Sequence, residues 1–245
     1  MPRVTRRVEL IRYTEKPEEA VALAAKLCYS DADLSSLMEE LSKKDTAAFI
    51  KKLIDMGHLS PIEHASFSFA IEGVSRALLA QITRHRIASF SVKSQRYVRA
   101  RGGFNYIIPP AIEALGEGAV REFEAQMDTI YSFYEGWLGR LEEGEKGNED
   151  ARFVLPNAAE SKMIVTMNAR ELLHFFFLRC CNRAQWEIRA VAWDMLKLAA
   201  GVAPALFCTA GPSCVRGKCS EGKMSCGKMD EVKKRHSELT SIYRE

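Results

Sequence analysis

The chain has 245 residues, of which 47% are hydrophobic and 27% charged, values typical of globular proteins rather than disordered or fibrous ones. Its 35 Lys and Arg are nearly balanced by 32 Asp and Glu, so the charge does not predict a nucleic-acid partner. The sequence begins without an apolar signal segment and contains no long apolar stretch, which predicts a cytoplasmic protein with no membrane partner.

The first half of the chain alternates strand and helix patterns. Residues 4–13 read as a strand, and Pro17 can open a helix whose Ala20, Leu23, Ala24 and Leu27 share one face. Asp45 is placed to cap a helix that stops at Gly57. Alternation over residues 66–71 predicts a half-buried strand, and a helix follows from about Ser75.

The second half is predicted to be mainly helical. The patterns predict, in order, an extended piece over 105–110, a long amphipathic helix over 117–143, an acidic loop over 142–150, a strand over 163–167 and helices over about 169–181 and 184–200. The economical interpretation is one α+β domain over residues 1–207, with a mixed sheet packed against long helices. A Cys-rich and then charged tail follows over 208–245, and its last fifteen residues are predicted to form an exposed or frayed helix.

Residues 84–97, RHRIASFSVKSQRY, combine three arginines with a histidine, three serines and a tyrosine. An Arg side chain presents a planar fork of donors that fits phosphate and can stack on an aromatic ring, so this arginine segment predicts a nucleotide pocket. A solvated surface charge run is the alternative interpretation.

Four of the five histidines fall in short polar blocks, at residues 57–64, in the arginine segment and at residues 168–174. In the last block Arg170 and His174 share a helix face at i and i+4. The neighbouring phenylalanines predict that this helix is largely buried, so its charged groups need partners, which an anionic ligand would supply.

Residue spacing argues against several common kinds of active site. His58 and His64 flank Glu63, but their spacing does not match the HExxH zinc motif, and Pro61 breaks the helix that motif needs. The serines lack the glycine-flanked elbow of a serine hydrolase. The chain has neither Rossmann glycines nor a P-loop.

Together these motifs resemble the flavin-dependent thymidylate synthases, the ThyX family, whose signature RHRxxSxxxxSxRY is met from Arg84 to Tyr97. The resemblance extends over about residues 5–205 and includes the run Ala184-Gln185-Trp186-Glu187. It implies noncovalent FAD, conversion of dUMP to dTMP with methylenetetrahydrofolate and NADPH, and a homotetramer with active sites at subunit interfaces.

The resemblance also implies roles for individual residues. The flavin would contact Ser30, His58, Ser60, Arg84, His85, Arg86, Asn168, Arg170 and His174. The dUMP would contact Gln81, Arg84, Ser94, Gln95, Arg96, Arg152 and Arg179. Arg179 is the catalytic candidate, because it can polarise the uracil ring, and Ser94 is assigned to binding because no adjacent base would activate it as a nucleophile. Ser91, Val92 and Lys93 depart from the family pattern, so no ligand contacts are carried over to them.

Seven cysteines in a chain without a secretory signal favour thiols, metal or redox chemistry over structural disulfides. Three interpretations of the tail are open: reduced thiols, a zinc site at Cys208, Cys214, Cys219 and Cys226, or a redox-active pair. No CxxC knuckle occurs, so no metal is assigned. Cys180 and Cys181 are predicted to serve in packing.

Two alternatives to the enzyme are open. The chain could be a nucleotide- or RNA-binding regulator that uses its Arg and Tyr residues without flavin chemistry, or a homologue that has lost its cofactor. A flavoenzyme would purify yellow, which neither alternative would.

Overall fold

The computed structural model describes residues 1–42 and 45–241. Within them, one sheet has the strand order β1-β2-β4-β3, formed by β1 (Arg7–Tyr13), β2 (Ser66–Ser75), β3 (Ala88–Val92) and β4 (Glu160–Asn168). The backbone bonds Thr14 N to Ser66 O and Lys93 N to Lys162 O join the end of one strand to the start of its neighbour, so the sheet is antiparallel. The prediction of a mixed sheet was wrong, whereas the α+β class is confirmed.

Helices make up most of the described chain. They are α1 (Pro17–Leu27), α2 (Leu34–Ser42), α3 (Ala47–Asp55), α4 (Arg76–Ile82), α5 (Pro110–Glu113), α6 (Glu117–Leu138), α7 (Glu145–Ala151), α8 (Ala169–Arg179), α9 (Trp186–Val202), α10 (Pro204–Phe207), α11 (Ser213–Arg216) and α12 (Met229–Ser241). Three short 3-10 helices lie at Pro61–His64, Arg152–Val154 and Gly222–Met224. No helix in the described residues is both long and apolar enough to cross a membrane.

The chain forms two compact units. Unit 1 comprises residues 1–7, 71–84 and 90–164, and unit 2 comprises residues 8–70, 85–89 and 165–245. Each of the four strands contributes residues to both units.

Unit 1 is built around the long helix α6. Met127 of α6 packs in a buried cluster with Phe104, Tyr106 and Ile108. Tyr106 and Ile108 belong to the extended piece predicted over residues 105–110. Tyr106 also forms isolated β-bridges with Arg3 and Ala159. The predicted helix is confirmed, but it ends at Leu138 rather than at residue 143.

Unit 2 is built around α8 and α9, which pack against each other. The ring of Phe207 lies edge-on to Phe67 at 5.3 Å and to Phe176 at 5.9 Å. The indole Nε1 of Trp193 on α9 donates to the carbonyl oxygen of Cys180 at 3.1 Å. These contacts fix the C-terminal end of α8, where Arg179 lies.

Three local predictions were wrong. The expected loop over 142–150 contains α7, in which Gly147 and Asn148 are buried. Neither α2 nor β3, which lies inside the arginine segment, was predicted. On α1 the buried residues are Pro17, Val21, Ala22 and Ala25, whereas Leu27 of the predicted face is 51% exposed.

The tail forms a helix that is buried on one side. Helix α12 buries Val232, His236 and Thr240, and the guanidinium of Arg235 lies 4.6 Å above the ring of Trp193. The helix prediction for the last fifteen residues is confirmed over residues 231–241, but the helix is packed on one side rather than fully exposed. The remainder of that prediction, residues 242–245, lies outside the described residues.

Candidate functional site

Three polar side chains of unit 2 form a hydrogen-bonded chain around His85, which is only 5% exposed. His85 Nδ1 lies 3.0 Å from Oε1 of Glu171, and Arg179 Nε donates to His85 Nε2 at 3.1 Å. Glu171, in the first turn of α8, is also buried. We call these three residues the Glu–His–Arg chain.

The two hydrogen bonds determine the tautomer of His85. Since a guanidinium can only donate, Nε2 must accept and carry no proton. The proton therefore resides on Nδ1 and is donated to the Glu171 carboxylate, which leaves the ring neutral. Burial lowers the pKa of His85 below its ordinary value of 6.5, and the nearby Arg179 and His174 lower it further, against the opposing effect of Glu171. A neutral His85 thus links a buried carboxylate to Arg179.

Most of the other flavin candidates of unit 2 are exposed. His58, Ser60, Arg86, Arg170 and His174 all have accessible side chains. Helix α8 packs against the 3-10 helix Pro61–His64, where Arg170 Nη1 donates to Oε1 of Glu63 at 2.5 Å.

Two flavin candidates have local structural roles. Asn168 is the N-cap of α8, and its side chain accepts from Glu171 N at 2.9 Å. Ser30 Oγ accepts from Ala32 N at 3.2 Å. Arg84, expected to contact both flavin and nucleotide, lies in unit 1 and is exposed.

In unit 1 the centre of the nucleotide candidates is Arg96. Its guanidinium pairs with Glu145 and, at 3.2 Å, with Glu149, which hold its pKa above the ordinary value. The backbone oxygen of Arg96 accepts from Nδ2 of Asn148 at 3.2 Å. Ser94 Oγ accepts from Arg96 N at 3.2 Å, so Ser94 shapes the turn that presents Arg96 to the acidic side chains of α7.

Arg152 lies at the other end of α7, and its Nε donates to the backbone oxygen of Glu149 at 3.1 Å. Nearby Arg76 is partly buried, and its burial, together with the charge of Arg152, lowers the pKa of Arg76. Arg152 thus lies at the end of the helix whose Glu145 and Glu149 pair with Arg96. An anion can replace those carboxylates on the Arg96 guanidinium.

Gln95 lines a cavity of about 190 Å³ in unit 1 together with Lys93, Arg99, Arg101 and Asn105. Gln81 is half-buried at the end of α4, and its backbone oxygen accepts from Arg84 N at 3.4 Å.

The structure therefore brings His85 together with Arg179 and His174, and Ser94 together with Arg96. Sequence reasoning missed the acidic partners Glu171, Glu145 and Glu149. Glu171 carried a signal, since an acid three residues after an Asn N-cap is typical of a capping box. Glu145 and Glu149 carried no such signal, because the acidic residues 142–150 were interpreted as a loop.

All seven cysteines are free thiols in the structure. In the described part of the chain, no three His, Cys, Asp or Glu side chains are already arranged to hold a metal ion.

Comparisons with known proteins agree with this fold and these motifs. The family model described as "Thymidylate synthase complementing protein" matches residues 9–205. The flavin-dependent thymidylate synthase of Geobacter sulfurreducens is 52% identical over 96% of this chain and 99% of its own length. The corresponding enzyme of Clostridium tetani is 50% identical over 93% of this chain and 96% of its own length.

Among solved structures, the UMP/dUMP methylase PolB from Streptomyces cacaoi, bound with 5-Br dUMP, is similar with a TM-score of 0.69 and 25% identity. The match covers 84% of this chain and 94% of that one. Fold and relatives together define an α+β enzyme of the methyltransferase class. The chain belongs to the flavin-dependent thymidylate synthase family, as the arginine segment had implied.

Proposed function

We propose that the protein converts dUMP to dTMP, with methylenetetrahydrofolate as carbon donor, NADPH as reductant and noncovalently bound FAD. Turning a transferred methylene into a methyl group requires two electrons, which a reduced flavin supplies as hydride when bound. The tasks left to the protein are to bind the reactants, orient them and stabilise charge. Its family membership and the cationic residues of both units support this assignment.

We propose that the flavin is held by the set Ser30, His58, Ser60, Arg84, His85, Arg86, Asn168, Arg170 and His174. The donor chemistry fits the phosphates of FAD, since Arg86 and Arg170 are exposed cations and Arg170 lies in the first turn of α8, where the helix dipole favours negative charge. The ion pair with Glu63 orients the Arg170 side chain.

We propose that Arg96 and Arg152 bind the nucleotide phosphate, with Gln81, Arg84, Ser94 and Gln95 completing the dUMP contacts. Glu145 and Glu149 pair with Arg96. We expect the nucleotide phosphate to displace these carboxylates and to bind the Arg96 guanidinium in their place. The Arg96 and Glu145 side chains are 41% and 43% exposed, so their ion pair costs little to break.

Arg179 is the catalytic candidate, and the Glu–His–Arg chain is the observation that carries this proposal. A guanidinium aimed at a uracil carbonyl or at the adjoining ring nitrogen stabilises negative charge as the ring is activated. Because His85 accepts from Arg179 Nε, the plane of the guanidinium is fixed before substrate binds. His85 is therefore proposed as a positioning residue for Arg179 as well as a flavin contact.

We further propose that residues 1–207 form the catalytic domain, residues 208–245 a tail, and that the protein is a homotetramer with active sites at subunit interfaces. Light scattering of the purified holoenzyme tests the assembly, and a monomer with full activity would contradict it.

The function is tested by purifying the protein and following its flavin absorbance. The proposal expects a yellow protein whose absorbance bleaches with NADPH and which forms dTMP only when methylenetetrahydrofolate is present. Arg179→Ala should abolish this turnover while flavin stays bound. A colourless protein that takes up no added FAD but binds dUMP would favour the nucleotide-binding regulator instead.

A further inference from the structure

A cavity of unit 1 is bordered by cations that belong to neither the proposed flavin contacts nor the proposed nucleotide contacts. It measures about 190 Å³ and is lined by Lys93, Arg99 and Arg101 among others. This volume is far larger than the roughly 30 Å³ that one water occupies in the liquid, so the cavity can take a small anionic group. Two anionic reactants of the proposed function still lack assigned contacts: methylenetetrahydrofolate, which ends in glutamyl carboxylates, and NADPH, which carries phosphates.

A tight turn anchored on α6 carries two of these cations. Arg101 N donates to the backbone oxygen of Arg99 at 3.1 Å. Between them, Ala100 N donates to the hydroxyl oxygen of Tyr134 at 3.4 Å. Tyr134 is 1% exposed and also lines the cavity. The backbone of both arginines is thus fixed beside the cavity, while the two residues themselves are exposed to solvent.

The positive charge beside the cavity is not balanced by the protein. Among the described residues, Glu160 is the one acidic residue of the lining. Its Oε2 accepts from Nδ2 of Asn105 at 2.7 Å, and its Oε1 accepts from Gly73 N at 3.2 Å. Over residues 1–42 and 45–241 the lysine and both arginines of the lining form no ion pair, whereas the nearby Arg96 pairs with two carboxylates of α7. An anionic ligand would supply the charge that balances these cations.

The location of the cavity favours the carbon donor over NADPH. Gln95, which lines the cavity, is a proposed nucleotide contact and lies between Ser94 and Arg96 in sequence. The carbon donor has to reach the pyrimidine of the nucleotide, whose proposed contacts belong to unit 1 except for Arg179. NADPH has to reach the flavin, whose proposed contacts belong to unit 2 except for Arg84. A cation site within unit 1, next to a nucleotide contact, therefore suits the reactant that meets the nucleotide.

We propose that Lys93, Arg99 and Arg101 bind the glutamyl carboxylates of methylenetetrahydrofolate, an assignment that rests on the proposed function. The planar guanidinium group of each arginine can bind a carboxylate through two parallel hydrogen bonds, and the lysine ammonium adds a compact positive charge. No covalent bond is made or broken at this site, which contributes affinity and orientation. Because every further glutamate in the tail adds one carboxylate, a folate with a longer tail binds more tightly.

The test is the affinity of the full-length protein for tetrahydrofolate that carries either one or three glutamates. Equilibrium dialysis without oxygen uses protein saturated with FAD and dUMP, and NADPH is left out so that no turnover occurs. We expect the triglutamate to bind about fivefold more tightly than the monoglutamate or better, and Arg99→Gln and Arg101→Gln each to weaken triglutamate binding by about fivefold, the effect of losing one exposed charge pair. Both residues are exposed, so both variants should fold. The matched control is Arg121→Gln, which changes an exposed arginine of α6 outside the cavity.

The dependence on salt provides a second readout. Because the cations are exposed, added salt should weaken binding of the triglutamate more than binding of the monoglutamate. Equal affinity for the two folates would overturn the proposal, as would an equal loss of affinity in Arg121→Gln. Weaker binding of NADP⁺ in Arg99→Gln and Arg101→Gln, with triglutamate binding unchanged, would assign the cations to the other reactant and would also overturn it.

Failure of this site is distinguishable from failure of the proposed function, because the dialysis measures binding without turnover. If the protein forms dTMP but the length of the glutamyl tail has no effect on affinity, the carboxylate site alone is wrong. If tail-dependent binding is lost in Arg99→Gln and Arg101→Gln but the unaltered protein forms no dTMP, the proposed function alone is wrong.

Discussion

Replacing Glu171 and Arg179 by glutamine, singly and together, measures how strongly their charges interact through the neutral ring of His85. A glutamine at 171 can still accept from His85 Nδ1, and a glutamine at 179 can still donate to Nε2. Each substitution therefore removes a charge while it retains a hydrogen bond, so the double-mutant cycle isolates the electrostatic term.

The size of that term follows from the geometry. The two hydrogen bonds of 3.0 and 3.1 Å are separated by the imidazole ring, which places the carboxylate oxygen and the guanidinium nitrogen about 8 Å apart. At an effective dielectric constant of about 20, unit charges at that distance attract each other by about 2 kcal/mol. Because Glu171 and His85 are buried, added salt should reduce this value only slightly.

The assay is urea unfolding of the four proteins at pH 8, at one protein concentration and with saturating FAD, since bound ligand and assembly both add to apparent stability. The control cycle pairs Glu18→Gln with Arg179→Gln. Glu18 is a partly buried carboxylate whose Oε1 accepts from Ala205 N at 2.6 Å, and the two changes should be additive. A Glu171–Arg179 coupling below about 0.5 kcal/mol, the usual limit of additivity, would refute the reasoning.

Three further predictions concern pH, nucleotide affinity and one glycine. The lowered pKa of His85 means that the unfolded chain binds more protons than the folded chain below pH 6.5, so the free energy of unfolding should fall as pH drops from 7 to 5. His85→Gln should flatten this slope and the exposed-residue control His58→Gln should not, whereas an unchanged slope in His85→Gln would contradict the assignment. Glu145→Gln should lower the KM for dUMP by up to about fivefold, because the surface ion pair of Glu145 with Arg96 contributes up to about 1 kcal/mol. Glu142→Gln serves as the control. A raised KM in Glu145→Gln would show instead that the carboxylate assists dUMP binding. In thermal unfolding, Gly73→Ala should destabilise the protein by about 3 kcal/mol or more, because a Cβ at its φ of +65° overlaps the backbone oxygen of Thr5. The control Gly102→Ala, at a φ of +70° in open space, should cost only about 1 kcal/mol. Equal losses of stability in the two variants would refute the clash at Gly73.

Local signals in the sequence predicted most of the elements correctly. Pro17 starts α1, Ser75 caps α4 through a bond from Leu78 N, and Asn168 caps α8. These elements depend on residues within one helical turn, which periodicity and capping rules describe. Helix α7 depends instead on a distant partner, since its Asn148 bonds to the backbone of Arg96, 52 residues away. Its acidic composition alone indicated a loop.

The same distinction applies to the candidate site. The cationic side chains Arg96, Arg179 and His85 could be found in the sequence because they occur in motifs. Their carboxylate partners could not, because the pairing of Glu171 with His85 joins residues 86 positions apart. The sequence therefore predicted the cationic groups that are proposed to meet the ligands, but not the carboxylates that pair with them.

A single-turnover experiment tests whether flavin bound to this protein supplies the electrons that convert dUMP to dTMP. Protein with bound FAD is reduced by NADPH without oxygen, freed of excess NADPH, and mixed with dUMP and methylenetetrahydrofolate while flavin absorbance is recorded and nucleotides are analysed by mass spectrometry. We expect dTMP in an amount equal to the flavin reoxidised, and we expect neither change when dUMP is omitted. Flavin that stays reduced with no dTMP formed, or dTMP formed by protein stripped of flavin, would contradict it.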